Sequence, residues 1–256
     1  MLTALDVVTF AQGSIRESDL EYARSKLAGI VDITPEPVRY AKVKLSRLAN
    51  PEVPKPFVCQ GNLDLDGRLV RAEVAAAHAT EAVDLMTDRL RRNALRAAGH
   101  WEAGRERLLR TDPRPWNSPP PSARGRGVRH KAYRLRVTSV DEAAAELDLM
   151  DFDFHLFVER GSGQESVLYR CGPSRYRLSQ LRPEPHRRWN TSVPLSIAHQ
   201  PAPSLDLTQA IGRLEATGQP FVFFADPEDG RARVLYHRYD GNYGLIRPAP
   251  AGVTGS

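Results

Sequence analysis

Residues 234–248 read ValLeuTyrHisArgTyrAspGlyAsnTyrGlyLeuIleArgPro, and part of that stretch has already occurred once in the chain. Val167-Leu168-Tyr169 aligns with Val234-Leu235-Tyr236 at an offset of 67 residues. At the same offset Phe154 falls on Phe221, Phe157 on Phe224, Gly163 on Gly230, Leu147 on Leu214 and Tyr176 on Tyr243. Two extra residues then enter the first copy, and both copies close on Arg-Pro, at Arg182-Pro183 and Arg247-Pro248. Apolar, aromatic and glycine positions that recur in one register mark a duplicated structural unit rather than shared composition. A larger N-terminal unit therefore precedes two small related ones.

Working outward, each copy reads as a short helix (Val140–Leu149; Leu207–Thr217), an aromatic strand, a Gly turn, a ValLeuTyr strand and a short final strand. A proline-rich segment, 183–203, joins them. Ahead of the first copy lies ProArgProTrpAsnSerProProPro, then SerAlaArgGlyArgGlyValArg, with no apolar period and no means of building a core. The N-terminal half reads as a strand over Leu5–Ala11, a helix over Asp19–Val31 and a strand over Val38–Leu48. A hairpin of Phe57–Leu65 and Leu69–Ala77 follows, turning at Asp66-Gly67, and then a helix from Thr80 to Arg107. The expected fold class is α+β. A β-α-β-β-β-α domain with helices on one face of a single sheet (1–109) leads through a basic linker (110–130) to two tandem α+β repeats (131–184 and 191–250).

A chain of 256 residues has room for two or three domains. Its 41% apolar and 26% charged residues describe a globular protein, and no stretch reads as a membrane span. The first fourteen residues carry Asp6 and no cationic start, so no secretory signal is expected. Cys59 and Cys171 lie far apart, and two reduced, packed thiols in the cytoplasm are the expectation. Charge is unevenly placed: residues 108–139 hold eight Lys and Arg against one acidic residue, a net of +7 where the whole chain has +5. A basic connector beside a folded domain suits a polyanion such as RNA, although a linker kept basic for solubility reads the same way.

No catalytic set emerges. The seven histidines are scattered, with no HExxH, no CxxC and no His pair near a cysteine, so neither zinc nor thiol chemistry is expected. Gly125-x-Gly127 follows no strand and opens no helix, which argues against a phosphate loop. Asp226-Pro-Glu-Asp-Gly230 is better explained as a hairpin turn than as a calcium loop. No cofactor, metal or small-molecule substrate is expected.

Phe221-Val222-Phe223-Phe224 followed by the 234–248 stretch closely resembles the C-terminal signature of long-form ribosome hibernation promoting factors, the family that includes sigma-54-modulation and light-repressed proteins. Tyr22-x-x-x-Lys26-Leu27 resembles the family's first-helix pattern. Ala82-Val83-Asp84-Leu85 with Asp88-Arg89-Leu90-x-Arg92 resembles that of the second helix. The chain departs from the family beyond Arg92, at Asn93-Ala94-Leu95, and in having two C-terminal copies; the tandem arrangement resembles the dormancy-linked factors of mycobacteria.

The resemblance implies a non-enzymatic translation inhibitor. Its N-terminal domain would lodge on the small ribosomal subunit, against rRNA, where mRNA and tRNA otherwise lie. Lys42 and Lys44 on one strand face, with Lys26, Arg89, Arg92 and Arg96 on helices, are the candidate rRNA contacts. Arg89, Arg92 and Arg96 form one helical stripe, which a solvated face laced with Asp84 and Asp88 would also produce. An RNA-binding adaptor or transcription-related modulator acting away from the ribosome is the alternative reading. In the resembled family a single C-terminal copy pairs with that of another molecule. Here the two copies are expected to pair within one chain, with Phe154, Phe157, Tyr169, Phe221, Phe223 and Tyr236 as the aromatic candidates.

Overall fold

Asp66 and Gly67 both adopt positive φ, 49° and 89°, the two-residue turn whose twist matches that of the strands it joins. They connect β3 (Phe57–Leu65) to β4 (Arg68–Ala76). This hairpin is half of a four-stranded sheet completed by β1 (Val7–Gln12) and β2 (Val38–Arg47), in the order β1-β2-β3-β4. β1 runs parallel to β2 across the intervening α1 (Glu17–Ile33), and the other pairings are antiparallel. α2 (Ala79–Gly99) follows β4, so the order is β-α-β-β-β-α. The structure is a computed structural model and describes residues 7–34, 36–99, 127–172, 175–184 and 187–249. They fall into two compact units, an N-terminal one to which Asp148–Phe152 is also counted and one holding the rest of both repeats.

Strand alternation sorts the N-terminal sheet into two faces. Ala41, Val43, Leu45, Cys59, Leu63, Val70, Ala72 and Val74 are buried with Ala23, Leu27 and Ile30 of α1 and Val83, Met86 and Leu90 of α2. Full burial of Leu27 and Leu90 stabilises by about 1.5–3 kcal/mol each. Gly61 lets α2 approach: a Cβ there would collide with Met86 Sδ and stand 2.8 Å from Leu90 Cδ2. On the opposite face Val8, Phe10, Tyr40 and Leu69 are exposed.

In the second unit β5 (Val128–Tyr133), β6 (Val137–Thr138), α3 (Val140–Leu149), β7 (Phe154–Glu159), β8 (Glu165–Gly172) and β9 (Arg175–Gln180) make up the first copy. β10 (Leu195–Ile197), α4 (Leu207–Thr217), β11 (Phe221–Ala225), β12 (Ala232–His237) and β13 (Tyr243–Pro248) make up the second. The 67-residue equivalence holds in three dimensions. Leu168 faces Leu178 as Leu235 faces Leu245, and Val167 faces Ser179 as Val234 faces Ile246. The two extra residues of the first copy therefore enter after its last strand. Both helices start with the same reciprocal cap. Ser139 and Glu142 exchange backbone and side-chain hydrogen bonds before α3, as Asp206 and Gln209 do before α4.

The sheets are not closed by their own copies. One has the order β10-β9-β8-β7-β6, the other β11-β12-β13-β5. The leading strand of each copy thus pairs, in parallel, with the final strand of the other. Val128 lies opposite Tyr243, and Leu195 opposite Tyr176, two pairs related by the same 67 residues. The first bond of each crossing also corresponds, Tyr243 N to Gly127 O at 3.0 Å and Tyr176 N to Pro194 O at 2.9 Å. This is reciprocal strand exchange, the geometry of a swapped dimer, inside one chain.

β5 begins at Val128, so the last residues read as linker form a strand. Val128 packs against the core cluster of the second copy that holds Leu214, Leu235 and Leu245, residues that no local window of sequence contains. The remainder of the linker, Trp101, Trp116 and the helix beyond Gly99 lie outside the described residues.

Candidate RNA interface and the contact between the copies

The six candidate cations fall on two opposite faces of the N-terminal unit. Lys42 and Lys44 alternate with buried Ala41, Val43 and Leu45 and so project from the sheet face opposite the helices. Lys42 Nζ stands 4.2 Å from the ring centroid of Phe10, a cation–π contact. Across the ladder Lys42 is flanked by Val8 and Asn62, and Lys44 by Phe10 and Gln60. Ammonium groups thus sit among amides and the exposed rings of Phe10 and Tyr40. Phosphates and unpaired bases are bound by such a mixture. Phe10, Tyr40, Gln60 and Asn62 were not among the sequence candidates; alternation from Lys42 places Tyr40 on its face, whereas Phe10, Gln60 and Asn62 reach it through the register of the neighbouring strands.

The helical side is more heavily committed. Lys26 Nζ lies 2.8 Å from Asp84 Oδ1, and the Tyr22 hydroxyl donates to the same oxygen at 2.7 Å. The hydrogen bond from Lys26, aided by that from Tyr22, holds the Asp84 carboxyl below the usual range; the same bond raises Lys26. The motif residues Tyr22, Lys26 and Asp84 thus form one network joining α1 to α2. Arg89 Nη1 donates to the carbonyl of Glu73 on β4 at 3.1 Å, and Arg96 bonds to Asn93 and to the Arg92 carbonyl. Arg92 alone of the three is exposed. Asn93 is buried and donates to Arg71 O at 2.9 Å, and Ala94 is buried beside it. The departure from the family pattern beyond Arg92 therefore includes core positions.

Between the copies the aromatic residues meet around a pseudo-two-fold axis. Phe154 touches its own counterpart Phe221 at 4.8 Å between centroids. The flanking contacts are counterparts too, Phe154–Tyr236 at 5.6 Å and Tyr169–Phe221 at 5.1 Å. Leu156, Val167, Phe223, Ala232 and Val234 belong to the shared cluster, and Leu135, Leu181, Ala202 and Ile246 pack against it. Phe157 departs from expectation. Three residues from Phe154, it points to the other side of β7, where it is fully buried and stacks on His155. In the second copy the alternate residues Val222 and Phe224 likewise face away, toward α4.

The AspGlyAsnTyrGly signature has a structural account. Asp240 pairs with Arg238 and accepts from Asn242 N, while Gly241 turns at φ 81°. The Tyr243 hydroxyl donates to Glu215 at 2.6 Å. Gly244 leaves the space that the Tyr236 ring fills, and a Cβ there would collide with it. Asp226 and Asp229 pair with Arg233 across the turn that ends at Gly230. Among the described residues no group of three His, Cys, Asp or Glu is placed to hold a metal ion. Cys59 is buried, its thiol pushed up to about 12 by that burial; Cys171 is exposed rather than packed.

The description "Sigma 54 modulation/S30EA ribosomal protein C terminus" belongs to a family model that matches residues 126–178 and again 198–245, once for each copy. The chain is 34% identical over 210 residues to a dormancy associated translation inhibitor of Mycobacterium tuberculosis, covering 77% of this chain and 73% of that one. It is 23% identical over 166 residues to a ribosome hibernation promotion factor of a Picosynechococcus species, covering 61% of this chain and 86% of the relative. Among solved structures, the N-terminal domain of Thermus thermophilus Protein Y matches 36% of this chain and 99% of its own length, at 28% identity and a TM-score of 0.31.

Proposed function

The chain belongs to the sigma 54 modulation/S30EA ribosomal protein family, and from that premise we propose that it is a ribosome hibernation factor that inhibits translation in stress or dormancy. The observation that carries this is its likeness, over three quarters of both chains, to a dormancy associated translation inhibitor. The N-terminal unit binds the small subunit and its rRNA, filling the channel of mRNA and tRNA. Occlusion of this kind needs a rigid cationic surface and no bond-making step. Lys42 and Lys44 on the sheet face and Arg92 on the helical face supply charge on both sides of a body that rRNA would surround. A ribosomal ligand of this kind works in the cytoplasm.

The C-terminal copies, in this reading, take each other as partners in place of a second molecule. A unit of this size buries too little apolar surface to stand comfortably alone, and the shared cluster supplies the missing burial. A short tether raises the partner's effective concentration to order millimolar, above what a free second chain offers. Ribosomes are then held singly rather than in pairs.

Sucrose gradients of stationary-phase lysate test the proposal. The protein should co-migrate with ribosomes, and a chain in which Lys42, Lys44 and Arg92 are all replaced by Ala should move toward the top of the gradient. Wild-type protein confined to the top fractions would overturn it.

A further inference from the structure

Glu165, at the start of β8, reaches across to the second copy. Its Oε1 accepts from Arg231 Nε at 2.9 Å and Nη2 at 2.6 Å, and its Oε2 accepts from Ala232 N at 2.7 Å. The carboxylate is mostly buried, 13% exposed, and Arg231 is steadied from its own copy by the Ala249 carbonyl at 3.2 Å. At the 67-residue offset the counterpart of Glu165 is Ala232, and that of Arg231 is Gln164. A residue that touches its own counterpart stands at the pseudo-two-fold axis. Glu165 and Arg231 therefore break the symmetry at the point where the copies are closest to equivalent.

The aromatic centre of the shared cluster repeats in both copies, and differences such as Leu156 for Phe223 and Leu135 for Ala202 exchange one apolar side chain for another. Phe154 matches Phe221, Val167 matches Val234 and Tyr169 matches Tyr236, so two first copies or two second copies would still meet through an apolar, aromatic surface. The axis differs. Two first copies would bring Glu165 against Glu165, flanked by Gln164, two desolvated carboxylates without a cation. Two second copies would set Arg231 beside Ala232 with no carboxylate for the guanidinium or the backbone N–H. Only the mixed pair joins anion, cation and N–H.

We infer that Glu165 and Arg231 are the specificity-determining residues that make the pairing heterotypic: a first copy accepts a second copy and rejects its own kind. This rests on the pairing reading above. Its consequence is that two chains cannot be bridged through like copies, which closes the commonest route to a dimer of a duplicated domain. The route left, reciprocal exchange of unlike copies between two chains, competes against the tether.

The test uses full-length chains with one side recast as its counterpart. Q164R/E165A turns the axis into a mimic of two second copies, and R231Q/A232E into a mimic of two first copies, with the tether unchanged. Denaturant unfolding of the C-terminal unit should show both variants losing stability. For R231Q/A232E, where two carboxylates meet, the folded-to-unfolded ratio should fall roughly ten-fold or more. The combined variant Q164R/E165A/R231Q/A232E places the same bonds on the opposite copies and should recover most of the loss. A one-sided variant that does not fold counts as support only if the combined variant folds. One-sided variants as stable as wild type, or a combined variant no better than the worse of them, overturn the inference. Wild-type chain that is itself a stable dimer would overturn the pairing reading instead, which keeps the two failures distinct.

Discussion

Arg177 in the first copy and Gly244 in the second occupy equivalent places, each across the ladder from a tyrosine of the shared cluster, Tyr169 and Tyr236. In the second copy the missing side chain is filled by the Tyr236 ring. In the first, Arg177 is exposed and Tyr169 contacts Phe221 without needing that space. Yet the strands around both sites keep one register, and both tyrosines reach the same cluster. The difference teaches where the duplicated fold is constrained. Phe154/Phe221 and Val167/Val234 of the shared cluster repeat, and so do the buried Leu168/Leu235 and Leu178/Leu245; Glu165/Ala232 and Arg177/Gly244 are where the copies diverged.

The comparison breaks most visibly at the cluster itself. Phe221→Ala should destabilise the C-terminal unit by about 3–5 kcal/mol, because its buried ring contacts both Phe154 and Tyr169. Phe154→Ala should cost less, since that ring is only partly buried. Denaturant midpoints for the two variants decide the order, and the N-terminal unit should be untouched in both. Equal costs would mean that the interface is as symmetric in energy as in register.

Gly244→Ala probes the place where the copies differ. Forcing a Cβ into the Tyr236 ring should cost about 1–3 kcal/mol, read as a lower melting temperature of the C-terminal unit. Arg177→Ala, at the equivalent exposed place, should change little. The helix caps sharpen the comparison from the conserved side. Ser139→Ala and Asp206→Ala remove equivalent bonds and should each cost about 0.5–2 kcal/mol in matched unfolding experiments.

A smaller effect is expected from pH. Burial holds the imidazoles of His155, in the first copy, and His237, in the second, below the usual His range; Glu146 and Glu215 oppose the shift in each case. The unfolded chain therefore takes up protons first as pH falls, and stability present above the unfolded His pKa of ~6.5 is lost below it. Melting scans at pH 7.5 and 5.5 should show the C-terminal unit weakened at the lower value. His155→Gln should reduce that difference more than His237→Gln, His155 being the more deeply buried.

Much of this was legible in the sequence where the signal is local or periodic. The Asp66-Gly67 turn, the alternation of Val38–Arg47 and the 67-residue repeat each fix an element from a few neighbouring residues. The exchanged strands escaped. Val128–Tyr133 and Leu195–Ile197 share no identity at the repeat offset, stand beside Pro-rich segments, stay largely exposed and find their strand partners only in the opposite copy. Phe157 was misassigned because the repeat offset shows which residues correspond, whereas the face of a strand depends on parity. Among the cations, the sequence placed Lys42 and Lys44 on one strand face. It could not show that Arg89 turns to the carbonyl of Glu73, since that acceptor depends on how α2 settles on the sheet.

The central claim, one chain silencing one ribosome through a pair of copies closed on themselves, is tested most directly by sedimentation velocity of purified ribosomes titrated with full-length protein. The account predicts that the protein joins the ribosome boundary while that boundary stays at the single-particle rate at every ratio. A faster boundary of paired ribosomes, growing with added protein, would contradict it.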